Sequence, residues 1–168
     1  TLNHSPVYGS ILVEADVTLE LGEGSNVESE ADNAITVKGK ADITGCTVRG
    51  KEIGILVTGG KKASAMLHSG EVSGKEAGVL VDGGSFTMEG GTIYGAQCGI
   101  HVGGTPKSTV KISGGEINAD DTALFAKQGS SVCQARQQRF PFGRHVYSRT
   151  KRAGRGRKHD EGLAREGL

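Results

Sequence analysis

The segment from Gly78 to Gly104 repeats itself, because Gly78-Val79-Leu80-Val81 returns as Gly99-Ile100-His101-Val102 after the step Gly90-Gly91-Thr92-Ile93. This register runs without gaps from residue 33. One apolar pair per repeat is Ile35/Val37, then Ile55/Val57, Val79/Val81, Ile100/Val102 and Leu124/Ala126, at steps of 20, 24, 21 and 24 residues. A second pair is Ala41/Ile43, Ala65/Leu67, Phe86/Met88 and Val110/Ile112, and a single inward position follows at Val48, Val72, Ile93 and Ile117. Members of a pair stand two residues apart, so both side chains fall on one face of a strand. A unit of 20–24 residues with three such strands cannot bury its inward faces alone. Successive units must stack like over like, which predicts an all-β parallel β-helix.

Small residues mark the corners. Ala34, Gly54, Gly78, Gly99 and Ala123 precede the first pair, and Gly50, Gly74, Gly95 and Ala119 follow the third inward position. A small residue at a fixed place in every coil implies a sharp bend, a close backbone approach or a positive φ. Gly59-Gly60, Gly83-Gly84 and Gly103-Gly104 mark loops after the first strand, where the extra Thr105-Pro106-Lys107-Ser108 also falls.

The chain divides into three parts. Residues 1–32 read as a degenerate first coil or an N-terminal cap, with Val13 to Leu21 alternating like one half-buried strand. Residues 33–132 hold the repeats. Residues 133–168 lose the pattern and read as a basic, disordered tail, since they lack the apolar residues that would offset the entropy of ordering. Residues 1–133 carry 10 Lys/Arg and 16 Asp/Glu, a net −6, whereas residues 134–168 carry 10 and 3, a net +7. So abrupt a change predicts that the tail is a frameshift product. The run Thr150–Lys158 is a basic stretch of the kind that meets phosphates, but Phe140, Phe142 and Tyr147 are not interleaved with it as stacking platforms. No nucleic-acid partner is expected.

The 28 glycines form no Gly-X-Y triplet, which removes collagen. No apolar run is long enough for a membrane-spanning helix. Cys46, Cys98 and Cys133 make neither a CxxC nor a metal spacing with the histidines. Stacking places Cys46 and Cys98 about two coils apart, on the order of 10 Å, too far for a disulfide.

The units GVLVDGGSFTMEGGTIYGAQ and GIHVGGTPKSTVKISGGEINAD resemble those of pectin-lyase-like right-handed β-helices, in particular the passenger domains of bacterial autotransporters. The resemblance covers about residues 10–132. It implies a right-handed helix, and a passenger displayed on or released from the outer membrane, carried there by a translocator barrel that this chain does not contain. Location outside the cell or on its surface, adhesion to a host-cell surface protein or glycan, and the absence of a catalytic site, cofactor or metal are the expectations that follow. An enzyme of the same fold, a polysaccharide lyase or glycoside hydrolase, is the alternative, and a non-functional truncated relic is another.

Glycoside hydrolysis needs two carboxylates across the scissile bond. Asp120-Asp121 is the only adjacent acidic pair in the repeats and resembles the paired Asp of polygalacturonases, but the companion Asn-x-Asp, His-Gly and Arg-x-Lys motifs are missing. Those aspartates are read as a polar turn. Asp82 with Asp42 or Glu89 is a weaker candidate for calcium, and His68 and His101 are read as outward residues with no carboxylate, Ser or Cys partner. The feature that stands out lies between the members of the first pair, where Thr36, Leu56, Leu80, His101 and Phe125 form an outward column. Large apolar residues facing solvent mark a partner site, so Leu56, Leu80, His101 and Phe125 are the candidate binding stripe. The last coil, Leu124 to Val132, should expose strand edges, an aggregation hazard.

Overall fold

A computed structural model describes residues 1–4, 6–103, 107–134 and 146–148. It is a parallel β-solenoid of about 6 turns, with three sheets running along its length. Sheet 1 stacks Ile11–Val13, Asn33–Val37, Ile53–Thr58, Ala77–Asp82, Cys98–Val102, Thr122–Ala126 and Val146–Ser148. Sheet 2 stacks Thr18–Leu21, Lys40–Ile43, Ser64–Leu67, Gly84–Met88, Ser108–Ile112 and Ser131–Gln134. Sheet 3 stacks Pro6–Tyr8, Asn26–Ser29, Cys46–Gly50, Gly70–Gly74, Thr92–Gly95 and Glu116–Ala119. No described helix is long and apolar enough to cross a membrane.

The register is the one the repeat predicts. Ile35, Ile55, Val79, Ile100 and Leu124 pair in succession across sheet 1, as do Phe86 with Ala65 and Val110 across sheet 2 and Val48, Val72, Ile93 and Ile117 across sheet 3. These side chains join one continuous buried cluster, so each coil's core is completed by its neighbours. Ala126, in the sixth strand of sheet 1, is only half-buried.

Several boundaries differ from the sequence reading. Val13 to Leu21 is not one strand, because the chain turns a corner at Glu14–Val17 and passes from sheet 1 to sheet 2. Ile11/Val13, Leu19/Leu21 and Val27 stack in register on Ile35/Val37, Ala41/Ile43 and Val48, so this region carries the same three strands as later coils. Its apolar spacing is the repeat's own, split by a four-residue corner. At the other end, Ser131–Gln134 continues sheet 2 past residue 132, and Val146–Ser148 pairs with Thr122–Ala126. The remainder of 135–168, with the disorder, the frameshift and the basic run assigned to it, lies outside the described residues.

The corner glycines do not need positive φ. A Cβ on Gly78 would stand 2.4 Å from Ile93 Cγ2 and 2.7 Å from the Tyr94 carbonyl, and one on Gly95 would stand 1.8 Å from the Cys98 carbonyl. Close approach is the constraint there. Positive φ belongs to a different column, between sheets 2 and 3, where Gly24, Gly45, Gly70, Gly91 and Gly115 lie between +63° and +109°. The second glycine of each Gly-Gly-x-Ile step is the left-handed residue of that turn.

Cys46 lies in sheet 3 and Cys98 in sheet 1, so they are on different sides of the solenoid rather than stacked in one column. All three cysteines are free thiols. Burial pushes the Cys46 and Cys98 thiols up to about 11, so both stay protonated at neutral pH.

Candidate functional site

The outward column of sheet 1 forms as predicted, and Leu12, Thr36, Leu56, Leu80, His101 and Phe125 lie side by side on successive strands. Leu12 and Phe125 are 52% and 37% exposed, while the residues between them are half-buried. Leu12 extends the stripe by one coil beyond the sequence assignment, which began the register at residue 33.

A second column was not read from the sequence. Cβ atoms on Gly54, Gly78 and Gly99 would meet the interior side chains of Val72, Ile93 and Ile117 at 2.7, 2.4 and 2.4 Å, so these glycines face inward. The residues after them, Ile55, Val79 and Ile100, face inward too. Two successive inward residues break the strict alternation and turn the preceding residue outward, beside the stripe. Ile53, Ala77 and Cys98 occupy that place, buried yet outside the interior cluster. At the start of the same column Asn33 Nδ2 donates to Thr36 Oγ1 at 3.5 Å, joining the two outward columns. Because Ile53, Ala77 and Cys98 are buried, they back the stripe from beside without widening the surface it exposes. Their signal in the sequence is the apolar residue before each corner glycine.

His101 stands edge-on to Phe125, with ring centroids 5.1 Å apart and planes at 82°. Its Nε2 is buried without a hydrogen-bond partner. Burial, and then the nearby Lys127 charge, hold the His101 pKa below its ordinary value, although Glu76 and Asp82 oppose the shift. A neutral imidazole packed on a phenyl ring adds to the apolar character of this column.

His68 requires a correction. Its Nε2 lies 3.0 Å from Asp42 Oδ1 and its Nδ1 2.8 Å from Glu89 Oε2. The carboxylates come from the neighbouring coils, 26 residues before and 21 after, so stacking rather than sequence proximity brings them to the ring. This ladder ties three coils together on the outside of sheet 2.

Asp42 and Glu89 are thus engaged with His68, while Asp82 ends a strand of sheet 1, and no group of three or more metal-ligating side chains converges among the described residues. Asp120 and Asp121 occupy the exposed corner after Glu116–Ala119. Tyr94 Oη donates to Asp120 Oδ2 at 3.0 Å, and this bond raises the Tyr94 pKa.

The fold and this face define a class: a parallel β-solenoid with an outward column of mainly apolar residues along one sheet, besides single exposed apolar side chains such as Tyr8, Val17 and Tyr94 elsewhere. No protein-family model, curated protein or solved structure matches the chain.

Proposed function

We propose that this chain is part of a non-enzymatic, secreted or surface-displayed passenger of the pectin-lyase-like autotransporter kind, and that it mediates adhesion through the outer face of sheet 1. The observation that carries the reading is the stripe itself. Stacking requires apolar residues inside the solenoid, whereas Leu56, Leu80, His101 and Phe125 lie outside it, in register on successive coils. A stiff scaffold holding apolar groups at the ~4.8 Å strand spacing loses little conformational entropy when a partner docks. The partner is a protein or glycan on a host or neighbouring cell, and the place of action is outside the cell, at the bacterial outer membrane.

The test is binding of the purified chain to intact mammalian cells, alongside an assay for depolymerisation of polygalacturonate. Saturable binding that Leu80→Lys abolishes, without turnover, is the expected result. Turnover of the polysaccharide, or binding indifferent to Leu80→Lys, overturns it.

A further inference from the structure

The chain passes from sheet 1 to sheet 2 at a corner of uneven length. It spans four residues in the first coil (Glu14–Val17), two in the second (Lys38 and Gly39) and five in the third (Gly59–Ala63). A short corner between two longer ones leaves a notch, with a volume of about 510 Å³. Gly39 and Lys40 lie at its floor, Asp16 on one wall, and Lys61 and Lys62 on the other. Gly39 lets the short corner pack closely on the first one, since a Cβ there would stand 2.3 Å from the carbonyl oxygens of both Glu14 and Val17.

The charge in this notch runs against its surroundings. Three lysines face one carboxylate, on a stretch of chain (residues 1–133) whose net charge is −6. Lys40 and Lys61 have no ion-pair partner among the described residues. Lys62 meets Asp16 at 3.4 Å across two coils, but both side chains are 77% exposed, and so open a pair is weak and easily displaced. Asp16 is also one of two non-glycine residues with positive φ among the described residues, at 64°. Its carboxylate is held at the edge of the notch by an uncommon backbone conformation that Asp and Asn tolerate better than other residues. The hydroxyls of Thr18 and Ser64 line the same space and can donate to an oxyanion.

We propose that this notch binds the sulfate or phosphate ester group of a small ligand, with Lys40, Lys61 and Lys62 as its counter-charges and the Asp16–Lys62 pair opening to admit it. The site stands apart from the apolar stripe and does not depend on it.

The test is calorimetric titration of the chain at low ionic strength with glucose 6-sulfate, glucose 6-phosphate and unmodified glucose. Both esters bind and glucose does not. Lys61→Glu weakens ester binding by about tenfold, whereas Lys111→Glu, the same charge change on the outside of sheet 2, changes it by less than about twofold. Asp16→Asn keeps a residue that tolerates the backbone and removes the competing carboxylate, so it strengthens binding by about threefold. The proposal is overturned if the esters bind no better than glucose, if Lys111→Glu weakens binding as much as Lys61→Glu, or if Asp16→Asn weakens it. Circular dichroism of each variant separates a lost site from a lost fold.

Discussion

The outer faces of sheets 1 and 2 are built by the same repeat and differ in chemistry. Sheet 2 presents Thr18, Lys40, Ser64, Ser85, Thr109 and Ser131 in one column, with Glu20, Asp42, Met66, Thr87, Lys111 and Cys133 in the next. Sheet 1 presents Leu12, Thr36, Leu56, Leu80, His101 and Phe125, flanked by Ile53, Ala77 and Cys98. Beneath both lies one core. Stacking dictates what points inward and leaves the outside free, so the mainly polar columns of sheet 2 show that this fold does not require an apolar exterior. The apolar column of sheet 1 is therefore not a requirement of stacking, and the proposed interaction face rests on that contrast.

Changes beneath the two faces should be the most damaging. Phe86 is fully buried in the shared core, and Phe86→Ala should cost about 3–5 kcal/mol, read as a lowered urea midpoint. Gly78→Val should cost about 3 kcal/mol, because even its Cβ meets Ile93 Cγ2 at 2.4 Å. If either substitution were tolerated, the interior would not be the common frame that makes the faces comparable.

On the outside the effects shrink. His68→Ala removes contacts to Asp42 and Glu89 from a partly exposed ring and should cost about 1 kcal/mol or less by urea denaturation. His101 sharpens the contrast through pH. Its pKa is lower in the folded chain than in the unfolded one, so between the two values the unfolded state binds more protons. The stability held above the unfolded value of about 6.5 is lost as pH falls through the folded value. Unfolding of wild type and His101→Gln, compared on both sides of this window, should show less acid sensitivity in the variant. Without changing stability at all, iodoacetamide should label Cys133, which is exposed on sheet 2, well before the buried Cys46 and Cys98. Equal labelling in the folded chain would mean that Cys98 is not sheltered beside the stripe.

How much of this was legible in the sequence follows from what each feature depends on. Inward pairs recur at steps near the coil length, so Ile35 to Leu124 could be aligned by eye and the stripe read off between them. The first coil was harder to read, because the four-residue corner at Glu14–Val17 keeps Val13, Val17, Leu19 and Leu21 in phase and so disguises two strands as one alternating strand. The second outward column was hidden by the two successive inward residues at each corner, such as Gly54 and Ile55, which defeat a period of two. His68 could not be paired from sequence alone, since its partners lie a coil away on either side. The notch arises from a difference in corner length between adjacent coils, and it shows only once the coils are laid one on another.

The most direct test of the central claim sets the two faces against each other. Leu80→Lys and Thr87→Lys place the same charge at outward positions of the same coil, one on sheet 1 and one on sheet 2. Binding to intact cells is measured for both, beside wild type. Leu80→Lys should abolish binding while Thr87→Lys leaves it within about twofold, since a lone charge on an already polar face alters little. Equal loss in both variants, or none in either, would contradict the assignment of sheet 1 as the interaction face.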